Sequence, residues 1–237
     1  MNLLKTSLLA AAASLALGGA ALAQPAPTWS VNAAVTSDYV FRGLSQTGTY
    51  DPAVQGGLDL GLGPVYAGTW ASNVKFGNGT DAEVDVYGGV RPAYAGFNFD
   101  LGVIGYLYPG APSKAAAGFN TNYVELKGAV SHAVGPATVG AAVFWSPDYT
   151  FTAGNHDGVY YELNASVPVK QFSLSGAVGH QWIEGSATDY TTWNVGVSWN
   201  FLPHLSLDGR YWDTDHHGAF GDFGDSRVVA TLKATYP

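Results

Sequence analysis

The sequence predicts an all-β fold, a transmembrane antiparallel up-and-down β-barrel of about twelve strands around a polar lumen. Three observations predict it: an export signal at the N-terminus, segments that alternate apolar and polar residues, and connections that are alternately short and long. The alternation is plainest at the C-terminus, where the even positions from Val228 to Tyr236 are apolar and the odd positions from Arg227 to Thr235 are mostly polar. Because successive side chains of a strand point to opposite faces, one face meets an apolar phase and the other meets water.

The segment 1–23 is predicted to be a cleaved signal peptide, and 24–237 to be one barrel domain. Lys5 provides the positive charge, Leu8 to Leu17 the apolar core, and Ala21-Leu22-Ala23 the small-residue cleavage site. An uncleaved anchor is the alternative. No later stretch reaches the about 18 consecutive apolar residues of a spanning helix. We therefore expect the mature chain to cross a membrane as a closed barrel, the other structure that satisfies its backbone hydrogen bonds in lipid.

The composition agrees with such a barrel and argues against several other classes of protein. The chain has 31 glycines and 14 tyrosines, and 12% of its residues are charged, about half of the roughly 25% that is usual in soluble domains. It has no cysteine, which excludes disulfides and thiolate metal sites. The net charge of −8 disfavours nucleic acid as a partner, because no basic stripe is present to meet phosphates.

Twelve segments of about ten residues carry the alternating pattern, and each is close to the 9–11 residues that a tilted transmembrane strand needs. Glycine is so frequent that helices would be poor in these regions. The predicted strands are 29–42, 53–62, 65–76, 82–91, 97–108, 122–134, 137–147, 158–168, 171–182, 190–201, 204–213 and 226–236.

The connections between the predicted strands alternate in length. Outer-membrane barrels have short periplasmic turns and longer extracellular loops, whereas a soluble β-sandwich, the alternative fold, has no reason to keep this order. Among the loops, we expect Ala111–Thr121 to fold inward if any does, because it is small and uncharged except for Lys114. The short connections are Gly63-Pro64, 92–96, Gly135-Pro136, Val169-Lys170 and Leu202-Pro203, and the long ones are 43–52, 77–81, 109–121, 148–157, 183–189 and 214–225.

Charged residues fall on one face of the predicted strands. Lys75 and Arg91 are assigned inward with the rest, which leaves the lipid face without a charge. An Arg or Lys at the bilayer midplane costs about 2–4 kcal/mol, so a membrane barrel requires this distribution. The predicted pore-lining residues are Asp38, Arg42, Asp59, Glu83, Asp85, Asp100, Glu125, Lys127, Glu162, Asp208, Arg210, Arg227 and Lys233, and the predicted acidic mouth in the loops is Asp213, Asp215, Asp222 and Asp225.

Aromatic residues are predicted to form two girdles on the outward face, because amphipathic rings settle at the headgroup level. The alternative is that they are core aromatics of a soluble sandwich. The predicted girdle at the turn ends is Trp29, Tyr66, Phe97, Phe172, Trp199, Phe201 and Tyr236, and the one at the loop ends is Tyr39, Phe41, Trp70, Phe76, Trp145, Tyr161, Trp182, Trp193 and Tyr211.

The stretch from Val35 to Thr47 resembles the start of the TorF-type porin family. Further matching stretches lie at 51–59, 66–74, 83–89, 106–110 and 225–229, so the resemblance spans the mature chain. It implies a proteobacterial outer-membrane barrel of unassigned substrate, and it brings no catalytic residue to carry over. One departure is Pro237, because barrels of this class usually end on an aromatic residue.

Two groups of residues raise the question of bound metal or catalysis. The run from Asp213 to His217 offers carboxylate and imidazole ligands for Ca²⁺ or a transition metal, but its spacing matches no defined loop. We favour a diffuse layer of divalent cations that bridges the loops to lipopolysaccharide, and we predict no dedicated metal site and no cofactor. Ser131 and His132 are adjacent and point to opposite faces of a strand, and His180 aligns with lipid-facing residues. We therefore predict no catalytic residues and no enzyme.

The functional prediction is a passive outer-membrane channel of a Gram-negative bacterium for small hydrophilic solutes or ions, weakly cation-preferring because its loops are acidic. The alternative is a non-conducting barrel with a structural or surface-interaction role. A barrel near twelve strands is wider than the eight-stranded kind that side chains fill and narrower than porins of 16–18 strands. The inward charges could therefore line an open pore or form a salt-bridged plug. The transported solute and the oligomeric state stay open.

Overall fold

The structure is a computed structural model that describes residues 26–48, 50–113, 116, 118, 121–149, 156–185 and 188–237. The predicted signal peptide at 1–23 lies outside these residues. Within them, no helix combines the length and apolarity needed to span a membrane.

Almost all regular structure is β. Among the elements that the structure describes completely, the exceptions are a short helix, α1 (His217–Phe220), and the 3₁₀ turn Gly221–Gly224 that follows it. The strands in chain order are β1 (Thr28–Thr36), β2 (Val40–Phe41), β3 (Leu44–Ser45), β4 (Ala53–Leu62), β5 (Val65–Asn73), β6 (Ala82–Val90), β7 (Ala93–Tyr94), β8 (Phe97–Leu107), β9 (Tyr123–Val134), β10 (Ala137–Ser146), β11 (Gly158–Val169), β12 (Phe172–Ile183), β13 (Tyr190–Leu202), β14 (Leu205–Thr214) and β15 (Arg227–Tyr236).

Twelve of these strands form one closed antiparallel barrel. Each pairs with the next long strand along the chain, and the ring closes where β15 pairs with β1, with Thr36 opposite Thr231. The three two-residue strands lie outside the ring, since β2 pairs with β3 and β7 only extends the edge of β8. Closure removes the unpaired edges that an open sheet presents. The predicted fold class and strand number are confirmed.

The connections also alternate as predicted, and they define two ends of the barrel. The turn end carries the short connections after β4, β6, β9, β11 and β13, and the loop end carries the longer ones after β1, β5, β8, β10, β12 and β14. Strand β1 is shorter than the predicted 29–42, because the chain leaves the sheet after Thr36. There the Thr36 hydroxyl donates to the Asp38 carbonyl at 2.9 Å, and the Ser37 hydroxyl accepts from the Ala230 N–H at 3.0 Å.

The two faces of the barrel wall differ sharply in polarity. In β15 the outward Val228 is 69% exposed, whereas the inward Arg227 and Val229 are buried. The inward residues of neighbouring strands lie opposite one another, for example Arg227 with Trp212 on β14. The outer surface is therefore aliphatic and aromatic, and the charged side chains of the strands gather inside, except for Asp213 at the loop end of β14.

Five rings of the predicted girdles lie inside the barrel, and those predictions were wrong. Tyr66 and Trp70 were assigned to the wrong face of β5: Tyr66 lies over Gly89 and Gly102, where a Cβ would come within 2.8 and 2.6 Å of its hydroxyl. The gaps left by these glycines admit a large ring into the lumen. Tyr39, Phe41 and Phe76 follow the ends of β1 and β5 and also pack inward, against Trp70, Tyr106 and Tyr108.

Candidate functional site, a lumen crossed by a hairpin

Residues 37–48, here called the lumen hairpin, fold from the loop end into the barrel. Strands β2 and β3 form its arms, and Arg42 (φ 49°) and Gly43 (φ 84°) form the tip. Two successive residues with positive φ make a type I′ turn, the connection that suits a tight hairpin. Glycine is required at the tip, since a Cβ on Gly43 would collide with the Thr192 hydroxyl and lie 2.7 Å from Cγ2 of Thr214.

The base of the lumen hairpin is fixed to β15 by a buried ion pair. Oδ2 of Asp38 accepts a hydrogen bond of 2.6 Å from Arg227, and both side chains are at most 1% exposed. Oδ1 of Asp38 accepts from the hydroxyls of Ser45 at 2.7 Å and Thr47 at 2.9 Å. One carboxylate therefore joins the two arms of the hairpin to each other and to the wall.

The tip reaches the opposite wall. The two terminal nitrogens of Arg42 donate to the two carboxylate oxygens of Glu125 on β9, at 2.8 and 2.7 Å. The guanidinium also lies over the rings of Phe144 on β10 and Tyr160 on β11, 4.9 and 4.4 Å from their centroids. Counted from β1, β10 is the seventh of the twelve barrel strands. The hairpin, extended by the Arg42 side chain, thus reaches from β15 to the opposite wall of the lumen.

Around the lumen hairpin, the loop half of the barrel is packed like a protein core. The Tyr39 hydroxyl donates to Glu83 at 3.0 Å, and the Tyr39 ring packs edge-on against Trp70. Inward polar residues at this level are buried rather than water-exposed: Thr36, Asp38, Arg42, Ser72, Glu83, Glu125, Gln181, Thr192, Thr214 and Arg227. The hairpin therefore occupies the cross-section at the loop half. We expected the loop Ala111–Thr121 in this role, and of that loop the structure does not describe 114, 115, 117, 119 and 120.

Two cavities of about 340 and 350 Å³ lie against the lumen hairpin on the side of the turn end. Trp70 and Asp85 line both of them. The first is also lined by Thr36, Asp38, Tyr39, Val40, Gln55, Asp208, Arg210, Trp212, Val229 and Thr231. The second is also lined by Phe41, Asp59, Tyr66, Tyr87, Arg91, Ile104, Tyr106 and Lys127.

Two clusters of charge lie on the walls below the hairpin. On one wall, Asp100 accepts from Lys127 at 2.8 Å, Arg91 at 3.2 Å and the Tyr66 hydroxyl at 2.6 Å. On the other, Arg210 donates to both oxygens of Asp208, at 3.2 and 3.1 Å. Arg210 also donates to Asn194 at 2.6 Å and Ser175 at 2.9 Å. Every basic group of the two clusters is paired with a carboxylate, and Arg91 and Lys127 share the single carboxylate of Asp100.

Four inward acids have no basic partner among the residues that the structure describes. Asp59 accepts from the Tyr87 hydroxyl at 2.7 Å, and Glu162 accepts from Tyr160 at 2.9 Å and Asn164 at 3.1 Å. The other two are Glu83, bonded to Tyr39, and Asp85. Lys233 lies on the inward face near the turn end. It is exposed, and it forms no ion pair with any residue that the structure describes.

Lys75 was wrongly assigned to the lumen. Strand β5 ends at Asn73, and the Lys75 ammonium lies in the loops, 63% exposed and 2.7 Å from Asp51. The hydrogen bond to Asp51 and the charge of that carboxylate raise the pKa of Lys75 above its usual value. The acidic loops therefore carry a second base besides Lys114.

The predicted acidic mouth lies at the loop end, beside α1. Asp213 ends the outward face of β14 and accepts from the Tyr211 hydroxyl at 2.7 Å, while Nε2 of His217 lies 2.7 Å from its other oxygen. Asp215 is exposed; slight desolvation raises its pKa, but hydrogen bonds from the N–H and the hydroxyl of Thr191 outweigh this and lower the pKa below its usual value. Asp222 and Asp225 are exposed. Over the described ranges, no three His, Asp or Glu side chains converge as a metal site.

Ser131, His132 and His180 do not come together. Ser131 faces inward opposite Asn98, whereas His132 faces outward and stacks on Phe97 with ring centroids 4.5 Å apart. His180 also faces outward, with Nδ1 3.1 Å from the Thr191 hydroxyl. Sequence reasoning missed Tyr39, Trp70 and Gln181 as lumen residues. Of these three, only Trp70 has a sequence feature that indicates an inward ring: Gly57, the residue opposite it on β4. That feature can be recognised only once the pairing of β4 with β5 is known.

The comparisons with known proteins identify a family and a fold. The chain matches the family Gcw_chp, described as a bacterial protein of unknown function, over residues 20–236. Among solved structures it is similar to the KdgM porin, with a TM-score of 0.60 at 7% identity over 88% of this chain and 98% of that one. It is also similar to the NanC porin, with a TM-score of 0.57 at 9% identity over 89% and 100% of the two chains.

A structure titled KdgM porin in complex with disordered oligogalacturonate matches as well, with a TM-score of 0.59 at 6% identity over 88% of this chain and 98% of that one. No curated protein sequence matches the chain. At such low identity these likenesses concern the fold, a porin-type barrel. A closed barrel with an apolar outer face is the β structure that spans lipid, which agrees with the predicted location in an outer membrane.

Proposed function

The chain belongs to the Gcw_chp family of bacterial proteins of unknown function, and from that premise and the porin-type barrel we propose that it is a passive outer-membrane channel for small hydrophilic solutes or ions. The observation that carries the proposal is the lumen below the lumen hairpin, which holds cavities lined by charged side chains, some paired with each other and some not. Charged side chains inside a barrel are stable when they pair or are hydrated. Passage through such a lumen requires no catalytic group.

The lumen hairpin sets the size limit in this proposal. It fills the loop half, and the Arg42 side chain holds its tip through an ion pair with Glu125 and a hydrogen bond of 3.2 Å donated to Gln181. A solute that passes must use the space beside the hairpin or displace its tip. We therefore expect a narrow channel with a low conductance rather than a wide general pore.

A weak preference for cations is part of the proposal. With Lys75 moved to the loops, the inward set has eight acids against six bases, one fewer than the seven assigned from the sequence. The loop end of the barrel, counting Asp213 at the end of β14, keeps ten acids against two bases. A negative entrance raises the local concentration of cations. We also propose that the chain is related to the TorF-type porins and that its acidic loops contact lipopolysaccharide.

The second candidate function is a non-conducting barrel with a structural or surface-interaction role. The buried ion pairs at both ends of the lumen hairpin favour it, since they give the loop half the packing of a closed core. The two candidates make opposite statements about permeability, so one measurement separates them.

That measurement is the swelling of proteoliposomes that contain the purified full chain, in isosmotic solutions of uncharged sugars of increasing size. The channel proposal expects swelling with the smallest sugars and a steep cut-off, and protein-free liposomes serve as the control. Liposomes that contain folded barrel and swell no faster than the control would support the non-conducting barrel.

A further inference from the structure

Asp85 is an inward carboxylate with an unusual environment at the wall that the two cavities share. Its Oδ1 is buried and has no hydrogen-bond partner within the described chain. Glu83, two residues away on the same face of β6, is 2% exposed and adds a second acid. No Lys, Arg or His of the described ranges lies within 4.0 Å of either carboxylate. Buried carboxylates without a counter-charge are costly.

The bases of the lumen cannot serve as that counter-charge without giving up other partners. Arg210, on the wall of the first cavity, bonds to Asp208, Asn194 and Ser175. Lys127, on the wall of the second, bonds to Asp100. Arg91, on the same wall, also bonds to Asp100. Among the described residues, a base could therefore reach Asp85 only by leaving a present partner, whereas a cation bound in the lumen would supply the charge without that loss.

An aromatic wall stands beside this carboxylate. Trp70 on β5 is the direct cross-strand partner of Asp85, at the spacing where neighbouring side chains touch. On its other side Trp70 faces Gly57, where a Cβ would lie 3.3 Å from Cδ1 of the indole. The Tyr39 ring packs edge-on against the indole, with centroids 5.3 Å apart. The indole is thus held in place from two sides, by β4 and by the lumen hairpin.

We propose that Asp85, Trp70 and Tyr39 form a binding site for a small organic cation, a primary or quaternary ammonium, in the first cavity, which all three residues line. The carboxylate supplies the opposite charge, and the indole supplies the ring face that attracts cations. Ca²⁺ is a poorer fit, because it takes six to eight oxygen ligands, and rings form much of this wall. The inference deepens the proposed function, since it names a class of solute that the channel would hold.

The test is calorimetric titration of the folded full chain in a nonionic detergent with tetramethylammonium chloride, against potassium chloride at equal ionic strength. The site predicts saturable binding of tetramethylammonium but not of potassium. Asp85→Asn should weaken binding at least tenfold, and Trp70→Leu should weaken it severalfold while the carboxylate remains. The charge-matched control is Asp51→Asn, an exposed loop residue whose loss should leave the affinity unchanged.

The titration does not depend on permeability, so the site and the channel fail separately. Binding of tetramethylammonium by a barrel that passes no solute would support the proposed site and contradict the proposed channel. Heat-modifiable migration on gels verifies that each variant is folded. If wild-type protein does not bind tetramethylammonium, or if folded Asp85→Asn binds it as tightly as wild type, the site is overturned. Weakened binding by folded Trp70→Leu alone, with Asp85→Asn unchanged, would likewise contradict it.

Discussion

Arg42, at the tip of a hairpin that starts from β1, forms a bidentate ion pair with Glu125 on the far side of the barrel, with N···O distances of 2.8 and 2.7 Å. The two side chains are 5% and 1% exposed. Charge-assisted bidentate pairs are stronger and more directional than neutral hydrogen bonds. This contact determines where the hairpin lies, and with it how much of the lumen is open.

Breaking this pair from one side should destabilise the barrel. Arg42→Gln leaves Glu125 buried and unpaired, which costs about 3–5 kcal/mol. The double variant Arg42→Gln with Glu125→Gln removes both charges and should recover much of that loss. Urea unfolding of the refolded barrel measures the free energy of unfolding of the wild type, the single variant and the double variant. Lys75→Gln breaks an exposed pair and should cost at most about 1 kcal/mol. Equal stability of Arg42→Gln and wild type would show that the tip is not held as described.

Gly43→Ala should displace the tip of the lumen hairpin. The residue has φ +84°, and its Cβ would collide with Thr192. A non-glycine residue in this backbone region costs of order 1–3 kcal/mol, to which the collision adds. Gly77→Ala is the matched control, because Gly77 has φ +75° and open space around its Cβ position. The difference between the two variants in free energy of unfolding isolates the collision. A loss no larger at Gly43 than at Gly77 would contradict the tight seat of the tip.

A charge on the outward face should disrupt assembly, while the same charge inward should be tolerated. Leu232 is outward and 47% exposed, and its neighbour Thr231 lines the first cavity. Leu232→Arg places a cation in the apolar belt, at about 2–4 kcal/mol. The fraction of folded barrel after refolding into vesicles should fall for Leu232→Arg and change far less for Thr231→Arg. The reverse order of yields would mean that the assigned faces are exchanged.

The acidic mouth should govern the cation preference if the barrel conducts. Replacing Asp213, Asp215, Asp222 and Asp225 by Asn removes four negative charges at the loop end. The reversal potential across a KCl gradient should then move toward zero, which indicates a weaker preference for cations. The conductance at 1 M salt should change little. Exposed charges act over about 10 Å at 0.1 M salt and about 3 Å at 1 M. A preference untouched by the four changes would assign the selectivity to the inner charges instead.

The strands were predictable because their pattern is local. Strand β15 was predicted at 226–236 and runs from Arg227 to Tyr236, since five apolar residues alternate with mostly polar ones on one short segment. The same alternation placed the charges of most strands inside. In β5 the inward and outward positions were exchanged, which misplaced Tyr66 and Trp70. The pattern allows this error because β5 carries small residues on one face and rings on the other. The pairing with Gly57 and Gly89 resolves that ambiguity, and pairing is not visible in a single strand.

The lumen hairpin was not predictable for a different reason. Its anchors are distant in sequence: Asp38 and Arg227 are 189 residues apart, and Arg42 and Glu125 are 83 apart. The segment also continues the apolar–polar alternation of β1, so it resembles the end of a longer strand. The Arg-Gly pair at its tip is not among the dipeptides typical of type I′ turns, Asn-Gly, Asp-Gly and Gly-Gly. Only the closed barrel brings the anchoring residues around the hairpin.

Single-channel conductance in a planar bilayer tests the central claim most directly, that the barrel is a channel whose lumen is limited by the lumen hairpin. Wild-type protein should give small, uniform conductance steps. The double variant Arg42→Gln with Glu125→Gln, which frees the tip without leaving a buried charge, should give larger steps, and Lys75→Gln should match wild type. Folded wild-type and double-variant barrels that both insert without conducting, or that conduct with identical steps, would contradict the claim.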